Sequence, residues 1–354
     1  MTADLNRCQT LSVDTESNSL FVFKEQVCLI QFSTGSRDYL VDPLALSDLS
    51  GLGPIFASPQ VEKVFHAAEY DLICLKRDFG FEFSNIFDTM TAARILGRAE
   101  VGLAALLGAE FGIQLDKRFQ RADWGRRPLP HAQMDYARLD TFYLAALRNR
   151  MIKALQDAGR WELAQEDFLR ECRVTIPANG NAPCWRITGS QDLTAQQAAV
   201  LAELCSYRDG WARAKNVPPF KVLSNQKLLD LAMNCPNRMS VLYEMKLLSP
   251  RELELHGEPL LAAVHRGLAA APLRRPVYQR PDEAYLDRVE RLRSWRKDTG
   301  LQLGVPSDVI LPKDAMEKIA GENPHSLAAL ESCMQDLPWR FGRFGEEILS
   351  RLRR

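Results

Sequence analysis

Residues 10–16 read TLSVDTE, and the alternation in this stretch sets the reading of the whole first half. Leu11, Val13 and Thr15 alternate with Ser12, Asp14 and Glu16, the period-2 pattern of a strand with one apolar face. Asp14 and Glu16 therefore leave the same face of one strand. Like charges so close raise each other's pKa unless a cation neutralises them, and hard divalent ions such as Mg2+ or Mn2+ are held by oxygen ligands of this kind. Taken alone, the pair suits a solvated strand edge equally well.

Outward from this strand, residues 26–33, 39–41 and 63–67 are short β-branched or aromatic stretches, and polar turns separate the first three strands. After Ala68 the pattern becomes helical over 69–79, 88–96, 103–111 and 131–158. Strands first, then strand and helix mixed, predict an α/β layer fold with a mixed sheet. Residues 112–130 read as a long ordered loop, a length that in compact domains goes with function or disorder.

The chain has 354 residues, too many for one ordinary core, with 46% hydrophobic and 25% charged residues, as expected of a globular protein. Its N-terminal ten residues lack the apolar run of a signal peptide, and no run of about 18 apolar residues occurs, so a cytosolic protein without a membrane segment is expected. The eight cysteines have no C-x-x-C spacing and are expected to be reduced. Net charge is zero, which removes any global basic signature of nucleic-acid binding. Residues 1–175 hold 20 Lys+Arg against 24 Asp+Glu and residues 176–354 hold 25 against 21, so −4 is followed by +4.

The second half repeats itself. A shift of 88 residues aligns Leu204 with Leu292, Arg208 with Arg296, Val217-Pro218 with Val305-Pro306, Pro236 with Pro324, Pro250 with Pro338 and Gly257-Glu258 with Gly345-Glu346. A constant offset that keeps prolines and apolar positions indicates a duplicated unit, here a small helical bundle in each copy. The expected organisation is an α/β domain over 1–173, a linker over 174–191, helical domains over 192–270 and 282–354, and a linker over 271–281 between them.

Two further acidic signals follow. Asp71 ends HAAEYD (66–71) in the first turn of a helix directly after a strand, where the helix dipole favours an acid. Tyr136 and Asp140 in YARLD (136–140) are four residues apart and share a helix face. In this order, DTE, HAAEYD and YARLD resemble the three motifs of the ribonuclease D branch of the DEDDy exonucleases. FDTMTAARIL (87–96), GLAALLGAEFGIQLDK (102–117) and ADWGRRPL (122–129) extend the resemblance, and the repeated units, preceded by Trp185-Arg186-Ile187, look like tandem HRDC domains. Ser17 departs from the pattern, standing where Phe is common, and little sequence precedes the first strand.

The resemblance implies a ribonuclease H-like mixed sheet with flanking helices plus two all-α HRDC-like bundles. It also implies a 3′–5′ exoribonuclease that releases nucleoside 5′-monophosphates from RNA with a free 3′ end, precursor tRNAs foremost. Two divalent cations, Mg2+ or Mn2+, are implied as the sole cofactors, with Asp14 bridging them, Glu16 and Asp140 completing the first and Asp71 helping to hold the second. Tyr136 is implied to orient the attacking water. A monomer is the expected form. The alternatives are a 3′–5′ DNA exonuclease of the Werner type and a non-catalytic nucleic-acid-binding protein.

Substrate contacts are expected from His66, from Lys117, Arg121, Trp124, Arg126 and Arg127 in the long loop, and from Lys215, Lys221 and Lys227 in the first helical unit. Interleaved cations and an aromatic suit phosphate and base contacts. Each has a plainer reading: His66 as a structural histidine, Trp124 as a loop anchor, the lysines as a solvated face. Asp88 reads as an N-cap, and Trp211 and Trp295 read as core.

Overall fold

The computed structural model describes residues 1–177, 187–273 and 281–353; Trp185, Arg186 and parts of both expected linkers lie outside the described residues. Up to Glu171 the elements are α1 (Thr2–Leu5), β1 (Thr10–Ser17), β2 (Val27–Ser33), β3 (Asp38–Val41), α2 (Gly53–Ala57), β4 (Glu62–Phe65), α3 (Glu69–Phe79), β5 (Ile86–Asp88), α4 (Thr89–Ile95), α5 (Leu103–Phe111), α6 (His131–Phe142), α7 (Leu144–Asp157) and α8 (Trp161–Glu171). The strands form one mixed sheet in the order β3-β2-β1-β4-β5. β1 is central, antiparallel to β2 and parallel to β4.

Its centrality follows from its residues. Leu11 and Val13 are buried in a core with Ile30, Phe32, Phe65 and Leu72, and Ser12 on the other face is fully covered as well. The acids therefore leave the strand only at its C-terminal end, where a bulge between Glu16 and Ser17 shifts the register with β2.

Two expectations needed correction here. The single helix expected over 131–158 is broken at Tyr143: α6 lies on β1, β2 and β3, and α7 turns to pack on β1 and β4 and against α4 and α8. β5 carried no expectation, and residue 88 was expected to open a helix; Phe87 and Asp88 instead pair in register with Val64 and Phe65. α8 also carried no expectation. Residues 112–130 hold no helix or strand, as expected for the loop.

The helical domains confirm the duplication element by element. α9 (Ala195–Lys215), α10 (Pro219–Val222), α11 (Asn225–Asn234), α12 (Met239–Glu244) and α13 (Pro250–Ala269) are followed by α14 (Glu283–Leu303), α15 (Ser307–Ile310), α16 (Lys313–Glu322), α17 (Leu327–Cys333) and α18 (Pro338–Leu352), each beginning 88 residues after its counterpart. The left-handed cap residues repeat too: Asn216 (φ 50°) matches Gly304 (φ 64°), and Cys235 (φ 44°) matches Asn323 (φ 46°). Trp211 is half-buried in the first core and Trp295 is buried in the second.

By their contacts the described residues form two compact units that cut across chain order. One holds Met1–Ser17, Val27–Ile176 and the second helical domain; the other holds Asn18–Gln26 and the first helical domain. In the first unit α8 and α18 meet through a buried ionic cluster. The Arg340 guanidinium, with no exposed surface, donates to Glu166 (2.6 Å), to both Asp167 oxygens (2.8 and 2.9 Å) and to the Val309 carbonyl. Arg170 pairs with Asp314 and Asp336 beside it.

In the second unit Phe23 joins the core of the first helical domain, the Arg213 guanidinium lies 5.3 Å from its ring centroid, and Lys221 Nζ lies 4.4 Å from that of Phe21. Cys205 is disulfide-bonded, a departure from the expected all-thiol set, whereas Cys8, Cys28, Cys74, Cys172, Cys235 and Cys333 are free. No helix among the described residues is long and apolar enough to cross a membrane.

Candidate active site

Asp14 and Glu16 at the end of β1 meet Asp140 from α6. One carboxylate oxygen of each lies within 4.8 Å of the others, the only such group that could hold a metal ion among the described residues. α6 is carried over β1 by its packing on the sheet, so residues more than a hundred positions apart converge. The Tyr136 hydroxyl donates to Asp140 one turn along the helix. Its ring meets Phe119 edge-on (centroids 5.9 Å apart) and lies tilted against Trp124 (6.1 Å).

Asp71 is buried beside this group, not within it. Its Oδ1 accepts a hydrogen bond from the Thr15 hydroxyl, so Thr15, expected to sit on the apolar face, ties the first acidic motif to the second. No motif flagged that role; only the pairing of a strand-end hydroxyl with a helix-start acid across the fold reveals it.

Asp88 fixes the turn that leads into α3. Its carboxylate caps α4 by accepting from the Met90 (2.6 Å) and Thr91 (3.2 Å) amides, and it also accepts from Ala67 (3.1 Å) and Ala68 (2.6 Å). Those last two bonds hold Ala67 at φ 61°, a left-handed conformation that costs a non-glycine residue free energy and sets where the Asp71 helix begins.

The carboxylates crowd one another, and burial together with like charge raises their pKa values. Burial first, helped by neighbouring acids, pushes Asp140 up to about 8; burial does the same for Asp14, up to about 7. Glu16 is pushed up to about 10 by burial and then by Asp14, Asp140 and Asp71. Asp71 also stands well above the usual carboxylate range, chiefly through burial and then Asp14. Tyr136 is raised by burial and by Asp140, Glu16 and Asp14, so it is a phenol, not a phenolate, at neutral pH. An oxygen-only donor set in which like charges crowd this closely fits a hard divalent ion.

A stability measurement checks this. The folded chain without metal holds protons that the unfolded chain, with carboxyl values of 3.8 for Asp and 4.5 for Glu, has already released. Stability from these groups is fully present below about pH 4 and is lost as pH rises through about 7 to 10. The expected result is a melting temperature in EDTA that falls from pH 5 to pH 9, and a slope flattened by Mn2+, which replaces the protons. An EDTA melting curve unaffected by pH over that range would count against a proton-loaded site.

The acids open into a cavity of about 430 Å3 also lined by His66, Lys117, Gln120, Tyr136, Glu100 and the start of α5, Gly102 to Ala105. Of the expected substrate contacts, His66 and Lys117 are therefore at the site. Arg121 and Arg126 are exposed on the loop. Trp124 is 1% exposed and packs with Cys28, Leu29 and Ala137, which removes its face from base stacking. Arg127 is spent internally: it clamps Asp42 with two bonds (2.6 and 2.7 Å) and donates to the carbonyls of Trp124, Arg126 and Cys28. In the first helical domain Lys215 is exposed, Lys221 lies on Phe21, and Lys227 bonds both Glu252 oxygens (2.6 and 2.7 Å). Glu100 and Gln120 lie in no quoted motif and emerge only from the cavity wall, whereas the α5 start falls in the 102–117 stretch of the resemblance, which gave it no role.

Comparison with known proteins agrees with this architecture. The family described as 3′-5′ exonuclease matches residues 1–156, and the HRDC domain family matches residues 197–264 and 286–352. "Protein RRP6-like 1" of Arabidopsis thaliana is 30% identical over 367 residues, covering 99% of this chain and 55% of that protein, so the chain spans about half the length of that relative. Among solved structures, the catalytic core of RRP6 from Trypanosoma brucei is 26% identical with a TM-score of 0.66, covering 76% of this chain and 77% of that one. Escherichia coli RNase D, described as an exoribonuclease involved in structured RNA processing, shares the fold at 23% identity and a TM-score of 0.66, covering 95% and 96% of the two chains.

Proposed function

The chain belongs to the ribonuclease D family, a 3′–5′ exonuclease domain followed by HRDC domains, and from that membership we propose that it trims RNA from the 3′ end, releasing nucleoside 5′-monophosphates. The observation that carries the proposal is the convergence of Asp14, Glu16 and Asp140 at the floor of a cavity wide enough for a nucleotide. RNA rather than DNA is favoured by the named relatives, and precursor tRNA 3′ ends are the proposed natural substrate.

Asp14, Glu16 and Asp140, with Asp71 behind them, would hold two divalent cations. When bound, such ions supply charge stabilisation for the attacking and leaving oxygens of the phosphodiester. The chain's own residues do the rest. Tyr136, kept a phenol and aimed by Asp140, Phe119 and Trp124, orients the attacking water by a hydrogen bond; it does not remove the proton itself. Lys117 faces the cavity as a cation for a phosphate oxygen, and the start of α5, which has no side-chain cap, leaves backbone N–H groups for another.

The test uses the full chain with matched 3′-labelled RNA and DNA and Mg2+ or Mn2+, with and without EDTA. Stepwise loss of RNA 3′ nucleotides only with metal is expected. Cleavage that survives EDTA, or none on either polymer, sinks the reading, and preferential digestion of DNA overturns its substrate class. Tyr136→Phe should lower kcat about 10²-fold with metal affinity unchanged, as expected for loss of a water-positioning group. Metal titration monitored by thermal melting, run beside the kinetics, separates that outcome from loss of the ions.

A further inference from the structure

Resting on the exonuclease reading, the geometry points to His66 as the residue that reads a ribose hydroxyl of the 3′-terminal nucleotide, through Nε2 acting as a hydrogen-bond acceptor.

His66 follows β4 directly, and its ring is fixed from behind. Nδ1 lies 2.9 Å from the Thr89 hydroxyl oxygen, and that hydroxyl lies 3.0 Å from the Phe65 carbonyl. A threonine hydroxyl has one proton. The carbonyl can only accept, so the Thr89 proton goes to Phe65 and the Thr89 oxygen must accept from His66. Nδ1 therefore carries the imidazole hydrogen, and in the neutral ring Nε2 is left with a lone pair. Burial lowers the His66 pKa and so favours the neutral ring, against an opposing pull from Asp88. Thr89 is fully buried, so the relay is shielded from competing water.

Nε2 has no partner among the described residues and is not one of the sealed polar atoms of the interior, while the ring lines the same cavity as Asp14, Glu16 and Asp140. A lone pair facing that cavity needs a donor. Phosphate oxygens only accept, so they are excluded as its partner. Base amino groups differ among the four nucleotides, whereas the ribose hydroxyls are common to all of them and flank the scissile phosphate. The 2′-hydroxyl is also what separates RNA from DNA at a given position.

The experiment compares the full chain and His66→Phe on RNAs whose last nucleotide is ribo, 2′-deoxy or 3′-deoxy. Wild type is expected to lose about tenfold in kcat/KM when the recognised hydroxyl is removed, the size of one hydrogen bond left unmade. His66→Phe is expected to be about tenfold slower on the ribo end and indifferent to that same removal, and the arm that shows it identifies the 2′- or the 3′-hydroxyl. Retention of wild-type discrimination at both positions by the variant overturns the assignment of His66 alone. Absence of metal-dependent cleavage by the wild-type chain on every end overturns the exonuclease reading instead. A readout independent of turnover is the histidine ring 15N spectrum of the full chain, with the His66 signal identified by its loss in His66→Phe. A neutral ring protonated at Nδ1 is expected at neutral pH; an Nε2–H tautomer or a doubly protonated ring overturns the proposal.

Discussion

Asp14→Ala should reduce metal-dependent hydrolysis of RNA by at least about 10³-fold, to the background of a metal-free control. Asp14 is one of three carboxylates whose oxygens lie within 4.8 Å of each other, and it also acts electrostatically on Asp71, Asp140 and Glu16. Without it two ligands remain at the cluster, too few to hold and place an ion that uses six oxygens. The same substitution removes a buried like charge from an uncompensated group. The variant should therefore melt at a higher temperature than wild type in EDTA while gaining less from Mn2+. Near-normal turnover of Asp14→Ala defeats the site assignment. A variant destabilised in EDTA defeats the electrostatic account and leaves the assignment standing.

Arg340→Ala should cost about 3–5 kcal/mol of stability in urea unfolding of the full chain. The guanidinium is wholly buried and satisfies Glu166, Asp167 and the Val309 carbonyl at once. Glu166 is 4% exposed, and its pKa is already raised by burial despite Arg340 beside it. Removing the arginine leaves that buried carboxylate with the Trp339 and Arg340 backbone amides but no opposite charge, which is the expensive way to break a buried pair. The paired replacement Glu166→Leu with Arg340→Met removes both charges and should cost much less. If Arg340→Ala loses under about 1 kcal/mol, the cluster does not hold the second helical domain to the nuclease sheet.

The two predictions rest on features of opposite legibility. Asp14 with Glu16, and Tyr136 with Asp140, could be placed on shared faces from spacing, because period 2 on a strand and i, i+4 on a helix need no tertiary information, and the resemblance to the ribonuclease D motifs marked them as a site. Arg340 could not. Nothing in Pro338–Leu352 distinguishes it from the neighbouring Arg343 until α8 is known to lie against that helix. Trp124 and Arg127 were misleading for the same reason: a loop rich in cations and an aromatic looks like a binding surface in one dimension, and in three its tryptophan is core and one arginine is a clamp on Asp42.

The sequence by itself determined the mixed α/β sheet and the 88-residue duplication, since each depends on local periodicity or on comparison of the chain with itself, and it nominated the acids of the candidate site through the order of their motifs and the resemblance they carry. Only the tertiary structure decided that the second helical domain packs with the nuclease sheet and that the Asn18–Gln26 segment packs with the first helical domain. It alone also placed Thr15 on Asp71 and Thr89 on His66. The physical reason is the range of the interactions. Side-chain periodicity is set within a few residues, whereas a buried ion cluster or a hydroxyl relay exists only when segments far apart in the chain are brought within hydrogen-bond distance. For Asp14 and Glu16, adjacent on one face of β1, that meant that the strand supplied a carboxylate pair and the fold brought up Asp140, the third.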